Sequence, residues 1–164
     1  MATPVSSLIG VNLNGSDSTA LFAPRTPSAT TAGGYYEYCE FSATQTTGTF
    51  LLLTPDGTAY TLLTAKLAAG GAIGYDIGVV QNVVNQGEFG WVARKGAHLY
   101  VKITNTMTLG GSFAYNAAGG RIQNVETAGV GQTGYGVWLT ATVSGGTQAV
   151  DATLLWPTTI GFPI

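Results

Sequence analysis

The sequence predicts an all-β chain: a single small β-barrel or sandwich domain over residues 35–164, with an extended N-terminal arm over residues 1–34. Three observations predict it. Apolar and polar residues alternate with a period of two in several short stretches, and helical periodicity is weak throughout. Turn-forming glycines also punctuate these stretches at roughly 8–12-residue spacing, as in a sandwich or barrel. The 164 residues suffice for one sizeable core.

The arm comes first. Residues 1–34 hold Pro4, Pro24 and Pro27 and short apolar pieces (Val5, Leu8, Ile9, Val11, then Leu21 and Phe22) separated by Ser, Thr, Gly and Asn. Such a stretch cannot build a core of its own, and it reads as an extended segment ordered by a partner. From Tyr35 onward the strands begin. FLLLT (50–54), IGVVQNVV (77–84), EFGWVAR (88–94), RIQNVE (121–126) and DATLLW (151–156) are candidates. HLYVKIT (98–104) places Leu99, Val101 and Ile103 on one face, and VWLTATV (137–143) does the same with Val137, Leu139, Ala141 and Val143. Between them lie PDG (55–57), NQG (85–87), KG (95–96), LGG (109–111), AGG (118–120) and SGG (144–146), each with a residue tolerant of positive φ. Lys95-Gly96 is therefore expected to be a hairpin turn joining strands 88–94 and 98–104. The best helical candidate, YTLLTAKLAAGG (60–71), is short and runs into a Gly pair. No internal repeat is evident at this level.

Charge is scarce. Lys, Arg, Asp and Glu make up 9% of the chain, with a net charge of −2, against about 25% in average soluble domains. Gly, Thr, Ser, Asn and Gln take their place, a surface suited to packing against neighbours in an assembly rather than to a free monomer. Nucleic-acid binding is disfavoured, because phosphate recognition needs clustered Lys and Arg. No run approaches the ~18 apolar residues of a membrane span, and the N-terminus lacks the charged region of a secretory signal. The single cysteine, Cys39, excludes an intrachain disulfide and a Cys-based zinc site and is expected to be buried.

The chemically richest stretch is NQGEFGWVARKGAHLY (85–100), with Glu88, Trp91, Arg94, Lys95 and the only histidine, His98. An acid–base group of Glu88, Arg94 and His98 is conceivable, but a lone strand histidine is more simply a half-exposed surface residue. Glu37 and Glu40 point to opposite faces of a strand, and nothing favours a carboxylate pair such as Asp76 with Glu126. No nucleophile, phosphate-loop or zinc motif is present. The expectation is a protein that is not an enzyme, with no cofactor and no metal. Its aromatics (Tyr35, Tyr36, Tyr38, Trp91, Tyr100, Trp138, Trp156) are read as core or interface residues ahead of a carbohydrate platform, because most lie within strands.

GYDIGVVQNVVNQGEFGWVARKG (74–96) resembles the G-V-A-Q … G-x-Y-G-W-V-x-x-x-G segment of structural proteins of tailed bacteriophages. YNAAGGRIQNVETAGVGQTGYGVWLTATVSGGTQAVDATLLWP (115–157) is similar to its continuation, and GGYYEYCEF (33–41) to its opening Tyr-rich strand. The family is that of small β-barrel head decoration, or cement, proteins. Arg94-Lys95 and the Gly-rich TAGVGQTG depart from that pattern. The resemblance implies a virion protein on the capsid exterior, made in a bacterial host cytoplasm. Its implied partners are the major capsid protein and itself, as a homotrimer, with no nucleic acid and no membrane. Leu8, Ile9, Val11, Leu21 and Phe22 of the arm, with Trp91, Arg94 and Lys95, are the expected capsid or oligomer contacts. The alternative is a receptor- or glycan-binding tail, fibre or adhesin module.

Overall fold

The computed structural model describes residues 12–13, 15–61, 76–104, 106–107, 113–116, 120–124 and 133–160. These form eleven strands and, among the described residues, no helix. In chain order they are β1 (Ser16–Asp17), β2 (Pro27–Ala29), β3 (Tyr35–Phe41), β4 (Phe50–Leu53), β5 (Thr58–Thr61), β6 (Asp76–Val80), β7 (Phe89–Thr104), β8 (Phe113–Asn116), β9 (Arg121–Asn124), β10 (Thr133–Leu139) and β11 (Gln148–Ile160). The predicted all-β class holds, and one continuous hydrogen-bonded sheet joins every strand.

That sheet closes on itself twice. The N-terminal half of β7 pairs with β3 and β6, β6 with β4, β4 with β5, and β5 runs parallel to β3, completing a five-stranded ring. Alternate residues fill its interior: Cys39 and Phe41, Leu51 and Leu53, Ala59, Val80, Val84 and Val92. The C-terminal half of β7 pairs with β11, β11 with β10, β10 with β8, β8 with β9, and β9 runs parallel to β7. Its interior holds Leu99, Val101, Ile103, Phe113, Ile122, Ala152 and Leu154, continuous with the outer face of the first ring at Tyr36, Tyr38, Val79, Trp91 and Ala93. Closure removes most of the free edges that an open sheet would expose.

The rings have the same topology, and β7 is the last strand of one and the first strand of the other. Registers repeat as well. Tyr38 opposite Trp91 in the first ring corresponds to Tyr100 opposite Asp151 in the second, and Phe41 opposite Ala59 to Ile103 opposite Ile122. Val79 opposite Ala93 corresponds to Trp138 opposite Thr153. Even the isolated bridges match: Gln45 with Val84, and Met107 with Val143. The chain therefore contains an internal structural repeat that its sequence does not display.

The expected hairpin at Lys95-Gly96 is not formed; β7 runs straight through it for 16 residues. Gly96 has φ 148° and His98 φ 55°, and the register against β11 shifts between Ala152 and Leu154. These are the marks of a β-bulge, which bends a strand without ending it. The bend lets one strand leave the first ring and enter the second. The turns at 55–57 and 85–87 and the bend at 145–147 form as expected, and Leu99, Val101 and Ile103 are buried. The helical candidate gives way to β5 up to Thr61, and its remainder lies outside the described residues.

Cys39 is buried in the first ring as expected, and burial pushes its thiol up to about 12. Burial likewise raises the phenol of Tyr36 to about 12. The unfolded groups titrate near 9.0 and 10.0, so above pH 9 the folded chain holds protons that the unfolded chain has lost. Stability is then complete below about pH 9 and falls as pH rises towards 12. Urea midpoints should drop between pH 8 and pH 11, and Cys39→Ala should flatten part of that drop. The native thiol should also stay unreactive to a disulfide reagent at pH 8 until the chain is unfolded.

Candidate functional site

Strand alternation points Glu37 of β3, Asp76 of β6 and Arg94 of β7 towards one end of the first ring's interior, and the arm delivers Arg25 to the same place. Arg94 lies between the two carboxylates, with Nη1 3.2 Å from Glu37 Oε1 and Nη2 2.8 Å from Asp76 Oδ1. Arg25 makes a second pair, Nε to Glu37 Oε2 at 2.6 Å and Nη2 to Asp76 Oδ2 at 2.6 Å. Burial pushes the Asp76 carboxyl up, but hydrogen bonds from Arg94 and Arg25 outweigh that and hold it below the usual range. The Trp156 ring covers the group, its centroid 5.3 Å from the Arg94 guanidinium carbon, with Tyr35 beside it at 4.6 Å.

Arg25 reaches this position from a backbone at φ 63°, its N–H donating to Tyr38 O at 2.8 Å. The preceding Pro24 packs so tightly on Gly57 that a Cβ there would collide with it, and Gly57 itself has φ 84°. Chemically, the four groups neutralise one another in a closed circuit of ion pairs, with charge-assisted hydrogen bonds from Arg94 to both carboxylates and from Arg25 to Asp76. The arrangement fastens the arm and three strands together.

The other residues of NQGEFGWVARKGAHLY do not join this group. Glu88 accepts hydrogen bonds from Asn85 N, Asn85 Nδ2 and Ser16 Oγ, which hold its carboxyl below the usual range and tie β1 to the 85–88 turn. His98 Nδ1 lies 3.0 Å from Asp151 Oδ2 on the outer surface of the second ring. The conceivable acid–base set of Glu88, Arg94 and His98 is thus dispersed over three places. Glu37 is buried and Glu40 exposed, on opposite faces as expected, and Glu126 lies outside the described residues. Among the described residues no three His, Cys, Asp or Glu side chains cluster as metal ligands would.

Several expected contact residues are used inside the chain itself. Arg94, expected to project from a hairpin tip, is 3% exposed because the strand does not turn there. Trp91 is buried against Tyr38 and Phe22, with centroids 5.1 and 5.5 Å away. Phe22, expected to anchor the arm on a neighbour, packs edge-on to Tyr38 at 5.2 Å. Leu13 is fully buried in the same cluster. Lys95 and Leu21 are exposed. Leu8, Ile9 and Val11 lie outside the described residues.

Two of the aromatics that the sequence reading assigned to the core or an interface, Tyr100 and Trp138, instead lie on an outward face of the second ring. Tyr100, Trp138 and Leu155 are 45%, 55% and 44% exposed. They come from β7, β10 and β11, each beside inward-facing neighbours (Leu99 and Val101, Val137 and Leu139, Leu154). Cross-strand pairing sets Trp138 beside Thr153, and Tyr100 beside Asp151. The signal was present in VWLTATV and HLYVKIT, whose alternation puts Trp138 and Tyr100 opposite the core.

Comparison with known proteins adds little. No protein-family profile and no curated protein matches the chain. Among solved structures, the chain is similar to the N base of head fibre gp8.5 of bacteriophage phi29, with a TM-score of 0.45 and 10% identity. The match covers 77% of this chain and 98% of that one.

Proposed function

We propose that the chain is a structural virion protein that binds the outer face of a bacteriophage capsid and stabilises the shell, acting without catalysis or cofactor. The observation that carries this reading is the ordered set of motifs at 33–41, 74–96 and 115–157, which resembles the head decoration proteins. The all-β fold and the 9% charge are consistent with it. A clamp that contacts several capsid subunits and further copies of itself, as in a homotrimer, gains from multivalency, because each added contact is intramolecular. It stabilises the expanded shell by mass action, since it binds the lattice and not its separated subunits.

Leu13 and Phe22 belong to the core cluster or pack on it, so removing all of residues 1–34 would uncover the buried outer face of the first ring. Removal of residues 1–11 is the cleaner test of the arm. Capsid decoration should be lost while the circular dichroism spectrum and melting temperature are kept. Full occupancy by the truncated protein would eliminate the arm's role. Gel densitometry of purified particles should give hundreds of copies per virion.

A second reading, a glycan- or receptor-binding tail or fibre module, is favoured by the exposed Trp138 and Tyr100 beside Asp151 and His98. It predicts a dozen copies or fewer per particle. It also predicts quenching of tryptophan fluorescence by host surface polysaccharide.

A further inference from the structure

On the side of β7 away from β11, parallel pairing with β9 sets Ile103 opposite Ile122, both fully buried in the second ring. Alternation turns the residues before them, Lys102 and Arg121, outward and side by side. Two of the chain's six basic residues are thus neighbours, and among the described residues neither makes an ion pair. Most carboxylates of the described residues are engaged elsewhere: Glu37 and Asp76 with Arg25 and Arg94, Asp151 with His98, Glu88 with Asn85 and Ser16, and Asp56 with Thr54. Like charges on adjacent strands repel. Burial, with the charge of Arg121 added to it, holds the Lys102 ammonium below its ordinary value.

Two hydroxyls complete the group. Lys102 Nζ donates to Thr46 Oγ1, and Arg121 Nη1 donates to Thr147 Oγ1 at 2.9 Å. Thr46 reaches Lys102 because the 46–48 segment lies directly on β7. Lys102 N donates to Gly48 O at 2.8 Å, and a Cβ on Gly48 would come within 2.9 Å of Lys102 N. Thr147 follows the bend at Gly145 and Gly146, both at positive φ. The threonines are exposed and the two cations partly buried between them. Each hydroxyl accepts from a cation and keeps its own proton to donate, while Arg121 Nε has no acceptor.

We propose that Lys102 and Arg121, with the hydroxyls of Thr46 and Thr147, bind a doubly charged tetrahedral oxyanion of the phosphate class. Charge selects the ligand. A dianion compensates both cations, whereas a carboxylate or a phosphodiester brings one charge and leaves one cation unmatched. Shape agrees: several anionic oxygens serve the lysine as a point charge, the arginine as a fork and two hydroxyl donors at once. Free phosphate and a phosphate monoester carried on a larger molecule offer the same chemistry.

The test uses the full-length chain at pH 8, where phosphate is doubly charged, with ionic strength held constant by sodium chloride. Inorganic phosphate should raise the melting temperature of the wild type along a saturating curve, and acetate should not. Lys102→Gln and, separately, Arg121→Gln should each weaken the apparent affinity by about tenfold or more. Without phosphate, both variants should melt no lower than the wild type, because each removes one of two repelling charges. Lys102→Glu builds an internal partner for Arg121, so it should melt higher than the wild type and ignore phosphate. Glycerol 3-phosphate saturating over the same range would support the site and assign it to phosphate on a larger molecule. A response to inorganic phosphate alone would support it as a site for the free ion. A wild type whose melting temperature does not respond to phosphate would overturn the proposal. So would an equal response to acetate, or phosphate curves that all three substitutions leave unchanged.

Discussion

Replacing Trp91 with Ala should cost about 3–5 kcal/mol, the range for removing a large buried aromatic. Trp91 sits at the centre of a ring cluster with Phe22, Tyr38 and, through Tyr38, Phe89. Its loss leaves a cavity under the arm, and Phe22 loses one of its two aromatic partners. The two effects are separable. Chemical denaturation reports the global loss, while limited proteolysis in the 18–26 segment should accelerate more than global unfolding predicts. A Trp91→Ala protein with an unchanged denaturation midpoint would show that the arm and first ring are not packed as described.

The second large effect concerns the buried charges. Arg94→Leu should destabilise the chain by about 3 kcal/mol, because the buried Glu37 loses one of its two cationic partners and is left with only Arg25 to pair with it. For a chain of this size that is a fall in melting temperature of roughly 6–12 °C. The internal repeat supplies the control. The interior positions held by Glu37 and Arg94 in the first ring are held by Leu99 and Leu154 in the second, where they join an apolar core. The double substitution Glu37→Leu/Arg94→Leu should therefore recover most of the loss, leaving Arg25 and Asp76 paired near the surface. Equal destabilisation in the single and double variants would mean that the ion pair itself is needed, beyond the avoidance of an unpaired charge. Thermal melts at pH 7 distinguish the two. Acidification works in the same direction. Asp76 titrates below its ordinary value, so its contribution is present above about pH 4 and is lost as pH falls through the lowered value.

How far the sequence could be read depended on how local each feature is. Alternation in HLYVKIT is a period-two signal carried by adjacent residues, and Leu99, Val101 and Ile103 are buried as it implies. The PDG and NQG turns are equally local. Lys95-Gly96 misled because a glycine at positive φ serves a hairpin turn and a β-bulge equally well. Only the pairing partners on either side, Tyr35 and Leu155 opposite Lys95, distinguish them. Arg25, Glu37, Asp76 and Arg94 share no spacing in the chain. They meet because ring closure brings three strands and the arm to one end of a core. The repeat was hidden for a related reason. Its conserved content is register, while the side chains at matched positions diverged, Trp91 to Asp151 and Arg94 to Leu154. Tyr38 and Tyr100 are a rare identity, too isolated to be noticed.

The most direct test of the proposed role is to locate the protein on a purified particle. Virions labelled with gold through a tag on this chain should show label distributed over the whole outer surface of the head, at a density matching hundreds of copies. Label confined to the tail tip or to a few fibres, with the head surface bare, would contradict the account.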